Sequence, residues 1–140
     1  MAKLNDVPPY SVHLLGMNEP NLRGESVDQI ASVWPSLVSK AGTIASPAQA
    51  GNPSRDGSWL EQFVNYKTKP QFNYVALHSY NGYNPDTFKE LITNVTKKFN
   101  KPIWITEFAC QDNADSTSKP FNQTAKLHYR KKNLKKYFEI

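Results

Sequence analysis

Four short apolar runs recur along the chain, and each is followed by a longer segment with helical periodicity. The runs are Val12–Met17, Thr43–Ala48, Tyr74–Tyr80 and Pro102–Phe108. They have the length of strands, are bounded by Gly, Pro, Asn or Ser, and are mostly continuous in hydrophobicity, as strands buried on both faces are. Their interval of about 30 residues is the size of one βα unit in a parallel sheet. The spacing predicts four consecutive parallel βα units.

Local signals mark the first two helices between these runs. Ser26 and Gln29 have the spacing of a capping box ahead of an apolar stripe. Pro35 is expected to kink or shorten this helix, because proline lacks the N–H of the helical hydrogen bond. Ser58 and Glu61 repeat the capping-box spacing, which predicts a second helix from that point.

The third helix has the clearest pattern. Asn84 can cap it, and Pro85 suits its first position. Its apolar positions recur at helical spacing and are Phe88, Leu91, Ile92, Val95 and Phe99. A weaker apolar stripe predicts a fourth helix in the basic residues 126–140.

Two architectures contain such a series of units. One is a small open parallel sheet with helices on both faces, and the other is part of a (β/α)8 barrel, which in full takes about 250 residues. No glycine-rich nucleotide-binding motif follows any of the runs, so a nucleotide-binding sheet has no support in the sequence. In a barrel the chemistry lies at the C-terminal ends of the strands.

Charge and composition exclude several classes of partner. The net charge is +5, from 17 Lys and Arg against 12 Asp and Glu, but residues 1–125 hold 11 of each kind. The excess is therefore a basic tail, which argues against a nucleic-acid groove and favours a solvated helix face. No window reaches the ~18 apolar residues of a membrane span, so no membrane partner is expected. The single cysteine, Cys110, can form neither an internal disulfide nor a thiolate zinc cluster.

Polar and acidic residues stand where three of the runs end. They are Asn18-Glu19, His78-Ser79-Tyr80-Asn81 and Thr106-Glu107. A glutamate is a poor strand residue and is costly to bury, so two glutamates that directly end apolar runs favour a functional interpretation over helix caps or surface pairs. Two carboxylates that face each other across a pocket can cleave a glycosidic bond, one as the acid that protonates the leaving oxygen and the other as nucleophile or base.

Six segments taken together resemble a known family. The segments are "LLGMNEPNL", "VWPSL", "ASPAQAG", "WLEQF", "NYVALHSYNG" and "KPIWITEFAC", in order from Leu14 to Cys110. They are similar to the Asl1-like glycosyl hydrolase catalytic domain, the GH128 family of β-1,3-glucanases in the retaining (β/α)8 clan. The resemblance implies a partial barrel whose four units match strands four to seven, and a β-glucan polysaccharide or oligosaccharide as partner.

The resemblance also implies roles for single residues. Glu19 in "NEPN" matches the general acid/base, and Glu107 in "TEFA" matches the nucleophile. Asn18 matches the amide that hydrogen-bonds the 2-hydroxyl of the sugar at the cleavage point. His13 and His128 have no metal-ligand spacing with a carboxylate, and this chemistry needs no metal or other cofactor.

Strand alternation adds sugar-binding candidates to this set. His78 and Tyr80 share a face and can point into the pocket, one as a polar contact and the other as a stacking surface for a sugar ring. For His78, a hydrogen-bonded core histidine is an equally good interpretation. Asn81 follows them at the same strand end and joins the substrate-binding candidates.

The tryptophans are expected to be structural. Trp104 is an odd number of residues from Glu107, so alternation places it on the opposite side, against the outer helices. Trp34 and Trp59 lie on helical apolar stripes and are expected in the core.

The resemblance covers only the middle of a barrel. It divides the chain into an N-terminal extension (1–11), a partial glycoside hydrolase domain (12–125) and a basic tail (126–140), and it indicates a truncated catalytic domain. Such a half barrel exposes strand edges at Val12–Met17 and Pro102–Phe108, which favours self-association.

Alternatives to an active hydrolase remain open. One is a non-catalytic remnant that binds carbohydrate weakly, and another is a binder of anionic surfaces through the basic tail. The family suggests an extracellular or cell-wall location, and sequons at Asn94 and Asn122 fit a secreted protein. The first thirteen residues lack the apolar core of a secretory signal, so the sequence leaves the location undetermined.

Overall fold

Strands and helices alternate strictly in the computed structural model of the chain, which describes residues 11–80 and 84–109. The order is β1 (Ser11–Leu14), α1 (Val27–Val38), β2 (Ala41–Ile44), α2 (Trp59–Val64), β3 (Val75–Ser79), α3 (Pro85–Phe99) and β4 (Ile103–Phe108). β1 pairs with β2 and β3 pairs with β4, both in parallel. An isolated parallel bridge between Ala45 and Tyr74 connects the two pairs. The predicted α/β class with parallel strands is confirmed.

The strands differ in length from the apolar runs that predicted them. β3 and β4 lie within one residue of the expected bounds, whereas β1 and β2 end at Leu14 and Ile44, well before Met17 and Ala48. Pro47 lies just beyond β2 and has no N–H to donate, so a regular ladder cannot continue through it. Single hydrogen bonds replace the ladder there, such as the one from the Ala48 N–H to the Met17 carbonyl at 2.9 Å.

The helix caps are largely those that the sequence predicts. Ser26 and Gln29 form a complete capping box at α1, and Ser58 accepts from the N–H of Glu61 at α2. α1 includes Pro35 and continues to Val38, and the Ser39 N–H bonds to the Pro35 carbonyl at 3.0 Å. The proline therefore removes one hydrogen bond without ending the helix, since the helical bonding resumes after it.

α3 begins and ends at strong local signals. Asn84 caps it, Pro85 is its first residue, and Asn100 ends it with a left-handed φ of 48°. Phe88, Leu91 and Val95 are buried along its predicted apolar face. The fourth helix predicted for 126–140 lies outside the described residues. No helix within the described ranges is long and apolar enough to span a membrane.

The main core lies between the helices and one face of the strands. Its buried members are Ile30, Ala31, Trp34, Leu37, Ile44, Leu60, Phe63, Phe72, Val75, Leu77, Leu91 and Val95. Trp34 packs edge-on against Phe63 at 5.0 Å between ring centroids and is in the core as predicted. Trp59 stacks on Phe63 at 5.5 Å but is only partly buried, at the border of this core. Each fully buried apolar side chain of this size contributes about 1.5 to 3 kcal/mol, so this layer holds the helices on the sheet.

Candidate active site

The segment after β1 approaches the segment after β2 very closely. A Cβ on Gly16 would lie 2.6 Å from the carbonyl carbon and oxygen of Ser46, so only glycine fits there. Beyond Gly16 the two segments stay paired, because the Glu19 N–H donates to the Ala48 carbonyl at 2.8 Å. The backbone of Asn18 also forms a parallel bridge with Ala48. This pairing fixes the point at which Glu19 leaves the strand end.

Glu19 has an unusual backbone conformation. Its φ is 45°, in the left-handed region that residues with a side chain rarely adopt. The conformation turns the chain, and the Glu19 carbonyl accepts a hydrogen bond from the Leu22 N–H at 3.0 Å. Backbone strain of this kind often occurs at functional sites, where neighbouring contacts hold the residue in place.

His78 lies between the two carboxylates that the sequence singles out. It is near the end of β3, and only 5% of its surface is exposed. Its Nδ1 is 3.0 Å from Glu19 Oε1 and 3.4 Å from Glu107 Oε2. The interpretation of His78 as a buried, hydrogen-bonded histidine therefore describes its surroundings, and its partner is a candidate catalytic group.

Glu107 reaches this position through an irregularity in β4. Leu77 pairs with Ile105 and His78 pairs with Glu107, so Thr106 is an extra residue, a β-bulge. Paired residues share a face of the sheet, so Glu107 lies on the same face as His78. The Thr106 hydroxyl oxygen is buried and has no hydrogen-bond partner among the described residues.

The same bulge overturns the prediction for Trp104. Trp104 pairs with Ala76, which lies two residues before His78 and therefore on the same face. It packs with Ala45, Ala48 and Ala76 and stacks on Tyr74 at 4.1 Å between centroids. The expected placement against the helices is wrong, because alternation counted along β4 is shifted by the extra residue.

Tyr80 follows β3 and contacts the second carboxylate directly. Its hydroxyl donates a 2.6 Å hydrogen bond to Glu107 Oε2. This hydrogen bond, together with desolvation and the charges of Glu107 and Glu19, raises the pKa of Tyr80 above its ordinary value. Tyr80 is 39% exposed, so its ring is also accessible from solvent.

The remaining candidates are less constrained. Asn18 is exposed next to Glu19, and Asn81 lies outside the described residues. His13 is exposed, hydrogen-bonds Thr43 at 2.7 Å, and is not part of the carboxylate cluster.

The cluster as a whole has two chemical possibilities. One atom each of Glu19, His78 and Glu107 lie within 4.8 Å of one another. Two carboxylates this close to each other can act as the catalytic pair of a glycosidase. Two carboxylates and an imidazole can also hold a metal ion, and among the described residues these three are the group that could do so. The absence of a metal requirement stays a prediction.

Comparison with known proteins identifies the family. A model described as the glycosyl hydrolase catalytic core matches residues 1–139. The alkali-sensitive linkage protein 1 of Schizosaccharomyces pombe is 30% identical over an alignment of 113 positions, and the match covers 74% of this chain and 20% of that protein.

Solved structures agree with this match. A GH128 subgroup I endo-β-1,3-glucanase from Amycolatopsis mediterranei, in complex with laminaritriose, superposes with a TM-score of 0.78 at 25% identity over 91% of this chain and 57% of that chain. A GH128 subgroup VII oligosaccharide-binding protein from Trichoderma gamsii superposes with a TM-score of 0.77 at 20% identity over 98% of this chain and 56% of that chain, which shows likeness of fold. The chain thus spans somewhat over half of these solved structures and a fifth of the curated relative, and it belongs to the glycosyl hydrolase catalytic core family.

Proposed function

We propose that this chain supplies both catalytic carboxylates of a β-1,3-glucan hydrolase that retains the anomeric configuration. The observation behind the proposal is the proximity of Glu19 and Glu107, which each place a carboxylate oxygen within 4.8 Å of the other at the C-terminal ends of parallel strands. Retaining glycosidases have carboxyl groups about 5 to 5.5 Å apart, whereas inverting ones leave about 6.5 to 9.5 Å for a water molecule. The short separation favours retention.

The two carboxylates have different roles in this mechanism. Glu107 attacks the anomeric carbon and forms a covalent glycosyl ester while the glycosidic oxygen departs with a proton from Glu19. Glu19 then removes a proton from water, which attacks the ester and releases the sugar with its original configuration. We assign attack to Glu107 because it matches the family's nucleophile, and because Tyr80 supports its charge with a 2.6 Å hydrogen bond.

Neighbouring residues hold these groups and the sugar. His78 fixes the distance between the two carboxylates, since its Nδ1 lies within 3.4 Å of an oxygen of each. Asn18 is exposed beside Glu19, and we assign to it the binding of the sugar's 2-hydroxyl. This contact strengthens as the transition state forms. Tyr80 and Asn81 complete the sugar-binding set, with Asn81 assigned from the sequence alone.

The relatives support the proposed substrate and architecture. The Amycolatopsis glucanase is an endo-β-1,3-glucanase with laminaritriose bound, which supports a β-1,3-glucan or its oligosaccharides as the substrate here. The four βα units correspond in this proposal to strands four to seven of a (β/α)8 barrel, because the acid/base then follows strand four and the nucleophile strand seven.

A covalent trap tests the proposal directly. The chain is incubated with 2-deoxy-2-fluoro-β-laminaribiosyl fluoride, whose fluorine at position 2 slows hydrolysis of the glycosyl ester and allows it to accumulate. Mass spectrometry of proteolytic peptides should find the fluorosugar on Glu107, and Glu107→Gln should abolish the adduct. An adduct on Glu19, or the absence of any adduct under conditions that label a known retaining glucanase, would contradict the assignment.

Binding without hydrolysis is the second candidate function. The solvent exposure of Glu107 supports it, because 37% of this side chain is exposed. Water at the site weakens the electrostatic stabilisation of a transition state. In this case laminaritriose would shift the NMR signals of His78 and Tyr80, while the trap would leave the chain unlabelled.

A further inference from the structure

We infer that Asn21 is a positioning residue for Glu19, an assignment that rests on the proposed role of Glu19 as acid/base. Two hydrogen bonds join the Asn21 side chain to the backbone of Ala50: Asn21 Nδ2 donates to the Ala50 carbonyl at 3.1 Å, and the Ala50 N–H donates to Asn21 Oδ1 at 2.9 Å. The side chain thus connects the segment after β1 to the segment after β2, two residues beyond the candidate acid/base.

These bonds complete a parallel pairing that the backbone abandons at Glu19. The Ala48 N–H donates to the Met17 carbonyl, and the Glu19 N–H donates to the Ala48 carbonyl, as in a regular parallel ladder. The next bonds of such a ladder would join Ala50 to the Glu19 carbonyl and to the Asn21 N–H. The Glu19 carbonyl instead accepts from Leu22 and Arg23, and the side-chain amide of Asn21 takes both places at Ala50.

The replacement of these two backbone bonds by side-chain bonds of Asn21 stabilises the turn at Glu19. Glu19 has a φ of 45°, which is unfavourable for a residue with a side chain and persists only where surrounding contacts enforce it. The Glu19 N–H holds one side of the turn against Ala48, and Asn21 holds the other side against Ala50. The chain can therefore turn away from the sheet at Glu19 without losing its connection to the neighbouring segment.

Loss of the Asn21 hydrogen bonds should impair proton transfer by Glu19 more than covalent attack by Glu107. If the turn relaxes, the Glu19 carboxylate moves relative to the glycosidic oxygen and to His78 Nδ1, now 3.0 Å away. Glu107 is held separately by β4, the Tyr80 hydroxyl and His78, so attack on the anomeric carbon is preserved. A misplacement of about 1 Å can cost on the order of 100-fold in rate, so the effect is large enough to measure.

The test separates these two steps with leaving groups of different quality. Hydrolysis of laminarin needs a proton from Glu19, whereas labelling by 2-deoxy-2-fluoro-β-laminaribiosyl fluoride releases fluoride, which departs without one. Asn21→Ala should lower laminarin hydrolysis by roughly 10- to 100-fold, mainly in kcat, and change the labelling rate by less than about 3-fold. Asn21→Asp, which keeps the acceptor but sets an oxygen against the Ala50 carbonyl, should behave like Asn21→Ala.

Asn52→Ala is the matched control. Asn52 also hydrogen-bonds backbone through its side chain, accepting from the Ser54 N–H at 2.8 Å, but it makes no bond to the segment after β1. It should leave the ratio of hydrolysis to labelling at the parent value. Equal losses in both reactions for Asn21→Ala would mean a purely structural role, and no loss in either would mean no role; both results overturn the inference.

A second readout does not depend on catalysis. Hydrogen exchange at the Glu19 amide should accelerate at least ~10-fold in Asn21→Ala and stay unchanged in Asn52→Ala, because the bond from Glu19 to Ala48 opens when the turn loosens. If the parent chain neither hydrolyses laminarin nor accepts the label, the proposed function fails, while faster exchange still establishes that Asn21 holds Glu19. Unchanged exchange overturns the inference whatever the activity.

Discussion

The hydroxyl of Tyr80 and the carboxylate of Glu107 are joined by a 2.6 Å hydrogen bond between the ends of β3 and β4. The tyrosine donates, so the bond exists while the phenol keeps its proton. The bond also holds an oxygen of the proposed nucleophile at a fixed position beside the end of β3.

Tyr80 should therefore lose its proton at a higher pH than an ordinary tyrosine. Its raised pKa means that the hydrogen bond is fully present below about pH 10 and is lost as the pH rises through the higher pKa of the folded protein. Selective 13C labelling of tyrosine followed by NMR titration measures this pKa. Glu107→Gln should bring it down toward the ordinary value, and an unchanged titration would show that the contact does not persist in solution.

Removing each carboxylate in turn should give different products with azide. In Glu107→Ala, azide takes the place of the nucleophile and gives a glycosyl azide of inverted configuration from an activated β-laminaribioside. In Glu19→Ala, azide attacks the glycosyl ester and gives the retained configuration, because the first inversion at Glu107 still occurs. NMR of the anomeric proton distinguishes the products, and the same configuration from both variants would mean that the roles are wrongly assigned.

Adding a single methyl group at Gly16 should destabilise the fold. Gly16→Ala places a Cβ 2.6 Å from the Ser46 backbone, and neither neighbouring backbone can easily yield. We expect the free energy of unfolding to fall by about 1 to 3 kcal/mol, as in other overpacked sites. Chemical denaturation measures the loss, and NMR should show the amide signals of Ser46 and Ala48 displaced.

Gly24→Ala provides the comparison for this change. Its added Cβ would meet no atom within 4 Å, although its φ of 70° adds strain. It should leave the Ser46 and Ala48 signals in place. Equal displacement in the two variants would argue against the close approach at Gly16.

We predict that the chain self-associates through its strand edges. Val12 on β1 is 71% exposed and Ile105 on β4 is 46% exposed, so apolar side chains lie on strands that have free edges within the described residues. Sedimentation velocity at increasing concentration should show dimers or larger species. Val12→Lys and Ile105→Lys together should shift the distribution toward monomer.

Leu22→Lys is the control for that experiment. Leu22 is 69% exposed, but it lies in the turn after Glu19 and not on a strand. It should leave the distribution unchanged. A chain that sediments as a monomer at all concentrations would show that the edges are protected.

Local sequence signals predicted what depends on neighbours along the chain. The capping box of Ser26 and Gln29 forms because both partners lie within one turn, and Asn84 and Pro85 start α3 for the same reason. The convergence of Glu19, His78 and Glu107 followed from a simple rule, that parallel strands place their C-terminal ends at one edge.

Features that depend on distant backbone were not predictable in this way. The bond between Asn21 and Ala50 joins a side chain to a main chain 29 positions away, and an alanine gives no sign in the sequence that its backbone will be a partner. The placement of Trp104 failed because a bulge changes alternation without a distinctive residue; Thr106 is an ordinary strand residue.

The extra residue at Thr106 also matters for anyone who redesigns this protein. A strand taken from a (β/α)8 barrel and matched to β4 by position from Ile103 would supply one residue too few before the glutamate, unless it contained the same bulge. Matching it backward from Glu107 would preserve the carboxylate and misplace Trp104 instead. A grafted strand should therefore be aligned in two parts, one that ends at Ile105 and one that begins at Glu107, with Thr106 kept between them.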